Sequence, residues 1–90
     1  NSEIFFRYLI ELVKAEEYKT AVNLYEKYGN NFQPKLKMLI SISIAYDYLN
    51  KPEISLDILE DASSFGEFQE NPEYMINLAL IYEKLEMYAN

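Results

Sequence analysis

Apolar residues recur at helical spacing in five stretches of this chain. From Glu3 to about Lys14, Phe5, Tyr8, Leu9 and Leu12 make one face, and Phe6, Ile10 and Val13 make a second. A helix apolar on two faces has neighbours on two sides. A second helix is predicted from about Tyr18 to Tyr28, striped by Ala21, Val22, Tyr25 and Tyr28. In the centre, Ile42, Ala45, Tyr46 and Leu49 fall at i, i+3, i+4 and i+7. Ser55, Leu56, Leu59 and Ala62 keep the same period beyond a break at Asn50-Lys51-Pro52. The fifth stretch runs from Pro72 to about Leu85, with Met75, Leu78, Ala79, Tyr82 and Leu85 as its stripe. All five follow the 3.6-residue period and not the period of two. No segment alternates over a strand length, so the chain is expected to be all-α with five helices.

The punctuation agrees. Ser2 is placed to cap the first helix, with Glu3 in its first turn. Ala15-Glu16-Glu17 is a corner, Gly29 is expected to stop the second helix as a C-cap glycine, and Asn30 to Pro34 is a loop. Asn50 accepts left-handed angles, and Pro52 suits the first turn of the next helix. The fourth helix is expected to end near Ser64, followed by a loop from Phe65 to Asn71 containing Gly66. Asn71-Pro72-Glu73 then combines a capping Asn, a proline at the first helical position and an early acid.

Subtracting positions exposes an internal repeat. Phe5 and Leu39 lie 34 residues apart, as do Leu12 and Tyr46, Ala21 and Ser55, Tyr25 and Leu59, and Tyr28 and Ala62. The next interval is 36: Leu39 to Met75, Ile42 to Leu78, Tyr46 to Tyr82, Leu49 to Leu85. A helix-turn-helix period of about 34 marks one class of repeat. On these residues, with Ser43, Asn50, Leu56, Tyr18, Ala79 and Tyr88, the chain resembles the tetratricopeptide repeat (TPR) family over nearly its whole length. The units are 1–34, 35–71 and 72–90, the last being the first helix of a truncated third repeat. The resemblance implies antiparallel helix-turn-helix repeats stacked as a right-handed αα-superhelix. Two departures stand out. Leu9 and Tyr28 are large where the family favours small residues, so a looser first unit is expected. Glu16, Asn50 and Glu86 replace the corner glycine, and because glutamate disfavours positive φ, altered corners are expected at two of them.

By the same resemblance, the first helix of each unit lines a groove that binds a peptide or helix of a partner. Register places Phe6, Ile40 and Ile76 in one groove row and Ile10, Ile44 and Leu80 in the next. Asn77 shares a row with Arg7 and Ser41, while Val13, Asp47 and Glu83, then Lys14, Tyr48 and Lys84, lie further along. Ile40 and Ile44 are expected to be more exposed than Ile42 and Tyr46. An apolar or amphipathic partner segment, rimmed by Asp47 and Glu83, would suit such rows. The competing reading makes the rows core, closed on each other or on further units of a longer solenoid whose binding site lies elsewhere. The family's clamp for heat-shock-chaperone C-termini is rejected: its positions fall on Phe6, Ile10, Ser41, Glu73 and Asn77, which lack the cationic donors a carboxylate needs. Glu86 to Asn90 matches the corner and opening of a further helix, so the fifth helix is expected to lack its own partner and to promote self-association.

Composition narrows the functions. With 90 residues, no Cys and no His, the chain is one small domain without disulfides, thiol nucleophiles or the usual zinc ligands. The acidic pairs Glu16-Glu17 and Glu60-Asp61 are adjacent and point apart, no glycine-rich phosphate loop exists, and Ser63-Ser64 has no general base, so no enzyme, metal or cofactor is expected. A net charge of −7 disfavours nucleic acid and anionic membranes, and no apolar run reaches a membrane span. Glu53, Asp57, Glu60 and Asp61 form an acidic face, open either to a basic partner or simply to solvent. The absence of cysteine fits an intracellular protein, cytoplasmic or nuclear. A non-catalytic protein-interaction scaffold within a larger assembly is the expected role.

Overall fold

A computed structural model describes residues 2–62 and 71–89. Among these residues every regular element is a helix, with no strand. Five α-helices follow one another: α1 (Ser2–Lys14), α2 (Tyr18–Tyr28), α3 (Leu36–Tyr48), α4 (Pro52–Ala62) and α5 (Pro72–Ala89). A single 3-10 turn, Gly29–Asn31, follows α2. The expected fourth-helix end near Ser64 and most of the loop before Asn71 lie outside the described residues.

α3 is the hub. It packs against α1, α2, α4 and α5, while α1 also meets α2 and α4 also meets α5. This accounts for a helix apolar almost all round, whose Met38, Leu39, Ile40, Ile42, Ser43, Ala45 and Tyr46 are all buried. Leu9, Ala21, Ile42, Ala45, Ser55 and Leu59 are fully buried at 0% exposure, so Ala21 and Ser55 are small because helices touch there. Leu9 is buried despite its size. Ser55 Oγ donates to the Ser43 carbonyl at 2.7 Å, and Ser43 Oγ donates to the Ile40 carbonyl at 2.7 Å, so both buried hydroxyls are satisfied.

The corners differ from expectation in an instructive way. Glu16 and Asn50 both stand at φ 63°, in the left-handed region. After α1, the N–H groups of Ala15, Glu16 and Glu17 donate to the carbonyls of Glu11, Val13 and Leu12. After α3, those of Leu49, Asn50 and Lys51 donate to Ala45, Asp47 and Tyr46, so every donor and acceptor is displaced by 34 residues. These bonds form the Schellman pattern, which needs one left-handed residue. Satisfying the last carbonyls outweighs the preference of glutamate, and the Glu16 corner is not altered.

Gly29 also serves differently. Its φ of −58° is right-handed, so the helix does not end on a left-handed glycine. A Cβ there would lie 2.9 Å from Tyr25 Cδ1, so the position is small for lack of room. At the other end, the Tyr74 N–H donates to Asn71 Oδ1 at 3.2 Å, the capping contact expected from Asn71-Pro72-Glu73. α5 then continues through Glu86 to Ala89, and no corner forms at Glu86. No glycine or asparagine interrupts Leu85-Glu86-Met87, and α5 is a single helix of 18 residues.

Candidate functional site

Two cavities run along the face shared by α1, α3 and α5. One, of about 270 Å³, is lined by Ile10, Val13, Lys14, Lys37, Ile40, Ser41, Ile44 and Glu73. The other, of about 370 Å³, lies between α3 and α5 and is lined by Ser43, Ile44, Asp47, Tyr48, Asn77, Leu80, Ile81 and Lys84. Ile44 belongs to both, so they form one groove. Side chains reach it because α1, α3 and α5 each present i, i+3 and i+4 neighbours to the same side.

The expected groove residues separate into three groups. Ile10, Ile44, Asp47, Tyr48, Asn77 and Leu80 line the groove with part of their surface open. Val13 and Ile40 line it as floor, at 8% and 2% exposure. Ile40 is no more exposed than Tyr46 at 3%, contrary to expectation, because four helices surround α3. Phe6 lines neither of these cavities and packs in the core, though it also reaches a cavity between α1 and the start of α3. It is 4% exposed and its ring meets Phe32 edge-on at 5.9 Å, within an aromatic cluster that includes Phe5. Ile76, 59% exposed, and Glu83 are open to solvent and line neither cavity. The expected row Phe6–Ile40–Ile76 therefore splits between core and open surface.

Polar groups fix the α3–α5 end. Lys84 Nζ lies 2.8 Å from Asp47 Oδ1, joining the two helices across the groove. Tyr48 stacks on Tyr18 with ring centroids 4.7 Å apart and planes 3° from parallel, tying the end of α3 to the start of α2. Tyr46 turns away from the groove, and its hydroxyl donates to Glu26 Oε1 at 2.7 Å. Burial first, and that hydrogen bond second, push the Tyr46 phenol far above its ordinary range. Ile81, at 2% exposure, and Tyr74, at 5%, carry the buried face of α5 in place of Met75 and Tyr82, which are 52% and 48% exposed. α5 is apolar around most of its circumference, so periodicity alone does not select which side is covered.

Among the described residues no cluster of three or more acidic side chains could hold a metal ion. Among the same residues no helix is long and apolar enough to cross a membrane. Compared with known proteins, the chain is matched by no family model, no curated protein and no solved structure.

Proposed function

We propose that this chain is a non-catalytic, TPR-like protein-interaction module that binds an apolar or amphipathic segment of a partner protein within a larger intracellular assembly. The groove along α1, α3 and α5 carries this reading: Ile10, Ile44 and Leu80, one row by register, all line it. An apolar strip flanked by Asp47, Asn77 and Lys84 suits a segment with alternate apolar and polar side chains. The stacking of the units as a right-handed superhelix is part of the proposal. It draws on the 34-residue displacement of the corner hydrogen bonds and on the successive packing of α1, α3 and α5.

Selection of binding peptides from a displayed library of 12-residue sequences tests the groove. Ile44→Asp should weaken the selected peptides at least tenfold, since it sets an unpaired charge in the apolar strip, roughly 1.4 kcal/mol or more. Helical circular dichroism should stay near wild type. Peptides that bind both proteins equally would move the site off this face. A second reading, a structural segment of a longer solenoid, draws on the exposed α5 residues Met75, Ala79 and Tyr82.

A further inference from the structure

We infer that the partner segment is acidic at one end, with its carboxylates seated in a cationic cavity beside the apolar groove. This rests on the groove proposed above. A third cavity, of about 370 Å³, lies between α1 and the start of α3, and Arg7, Lys14, Lys35 and Lys37 line it. These are four of the eight basic residues in a chain whose net charge is −7. Only two carboxylates, Glu3 and Glu11, line the same cavity. Lys14 lies 3.6 Å from Glu11, while Arg7, Lys35 and Lys37 make no ion pair among the described residues.

Position gives the cluster its meaning. The cationic cavity shares Ile10, Lys14 and Lys37 with the apolar cavity, which continues through Ile44 to the α3–α5 end. At that far end the one cation, Lys84, is neutralised by Asp47. The groove thus carries an excess of positive charge at its α1 end, is largely apolar in the middle, where Glu73 is the one carboxylate, and is balanced at the other end. A cleft whose lining carries an excess of one sign of charge favours the opposite charge. A segment with two or more Glu or Asp followed by apolar residues complements this order. Sequence reasoning left the cluster unremarked because Arg7 and Lys14 sit on α1, Lys35 and Lys37 at the start of α3, and the four form no run.

Fluorescence anisotropy with two labelled 12-residue peptides tests the inference. One carries four Glu ahead of Leu and Phe residues; the other has Gln in place of each Glu. The Glu peptide should bind at least tenfold tighter, and the advantage should vanish as salt approaches about 1 M, where screening acts within about 3 Å. In Lys35→Glu/Lys37→Glu, two exposed positions whose charge reversal should leave helical circular dichroism intact, the order of the two peptides should invert. Equal affinity of the peptides for wild type, or an advantage that survives the double substitution, would overturn the acidic assignment and leave the groove standing. Binding of neither peptide would remove the groove reading and this inference with it. A single-stranded oligonucleotide that displaces the Glu peptide would overturn the assignment to a peptide.

Discussion

Tyr46 links two helices through one hydroxyl. Its ring is buried in the core while its O–H reaches Glu26 on α2. Burial first, then the bond to Glu26, hold its proton well above the ordinary phenol range, and burial is also the leading cause of the raised values of Tyr18, Tyr25 and Tyr74. The consequence for stability has a definite sign. In the unfolded chain these four phenols release their protons near pH 10, whereas the fold holds those of Tyr18, Tyr25, Tyr46 and Tyr74 to higher pH. Above that pH the unfolded state binds fewer protons, so stability falls as pH rises. The contribution is complete below about pH 10 and is lost towards the folded-state value. Thermal melts should therefore drop steeply above pH 10. Tyr46→Phe should cost about 1 kcal/mol at neutral pH through the lost hydrogen bond, and its alkaline decline should be shallower than that of wild type. Parallel alkaline limbs for the two proteins would exclude Tyr46 as a source.

At the scale of single elements, the corners carry the most information. Glu16 and Asn50 occupy the same left-handed conformation within the same set of backbone bonds. An L-residue there bears roughly 1–2 kcal/mol of strain, less for Asn than for Glu. Replacing it with glycine relieves that strain but loosens the unfolded chain by about 0.4–1 kcal/mol. Glu16→Gly should therefore gain up to about 1 kcal/mol in urea unfolding, and more than Asn50→Gly. A loss in Glu16→Gly would mean that the glutamate side chain compensates. The corners also show what the residues alone disclosed. Helix positions, the break at Asn50-Lys51-Pro52 and the Asn71 cap were legible, because local chemistry decides them. The left-handed Glu16 was not, since the demand came from carbonyls at the end of α1. The onward run of α5 through Glu86 escaped for a related reason: the repeat register pointed to a corner, but the residues themselves are good helix formers.

For the molecule as a whole, α5 is the edge that stays open. Met75, Ile76, Leu80 and Tyr82 are each 48–59% exposed. Their counterparts 36 residues earlier include Leu39, Ile40 and Tyr46, which are buried because α3 has neighbours on four sides. The same contrast explains how far the groove could be read from the residues. Register put Ile10, Ile44 and Leu80 together, but whether a row is floor, wall or open surface depends on how many helices surround it. A few hundred Å² of exposed apolar surface is worth several kcal/mol at about 25 cal/mol per Å². Sedimentation should show concentration-dependent self-association, and Met75→Glu/Tyr82→Glu should abolish it. A wild-type chain that stays monomeric at millimolar concentration would show that this face does not pair with itself.

The parallel rings of Tyr18 and Tyr48 give the groove an optical handle. The chain contains no tryptophan, nine tyrosines and five phenylalanines, so the long-wavelength edge of its near-ultraviolet spectrum belongs to phenol rings. Two rings 4.7 Å apart and 3° from parallel have strongly coupled transition dipoles. Tyr48 is also a groove residue. A segment settling against it must keep, tilt or separate the pair, and each alternative changes the dichroism of that coupling. Occupancy of the groove can thus be followed by light absorbed in the unlabelled protein itself.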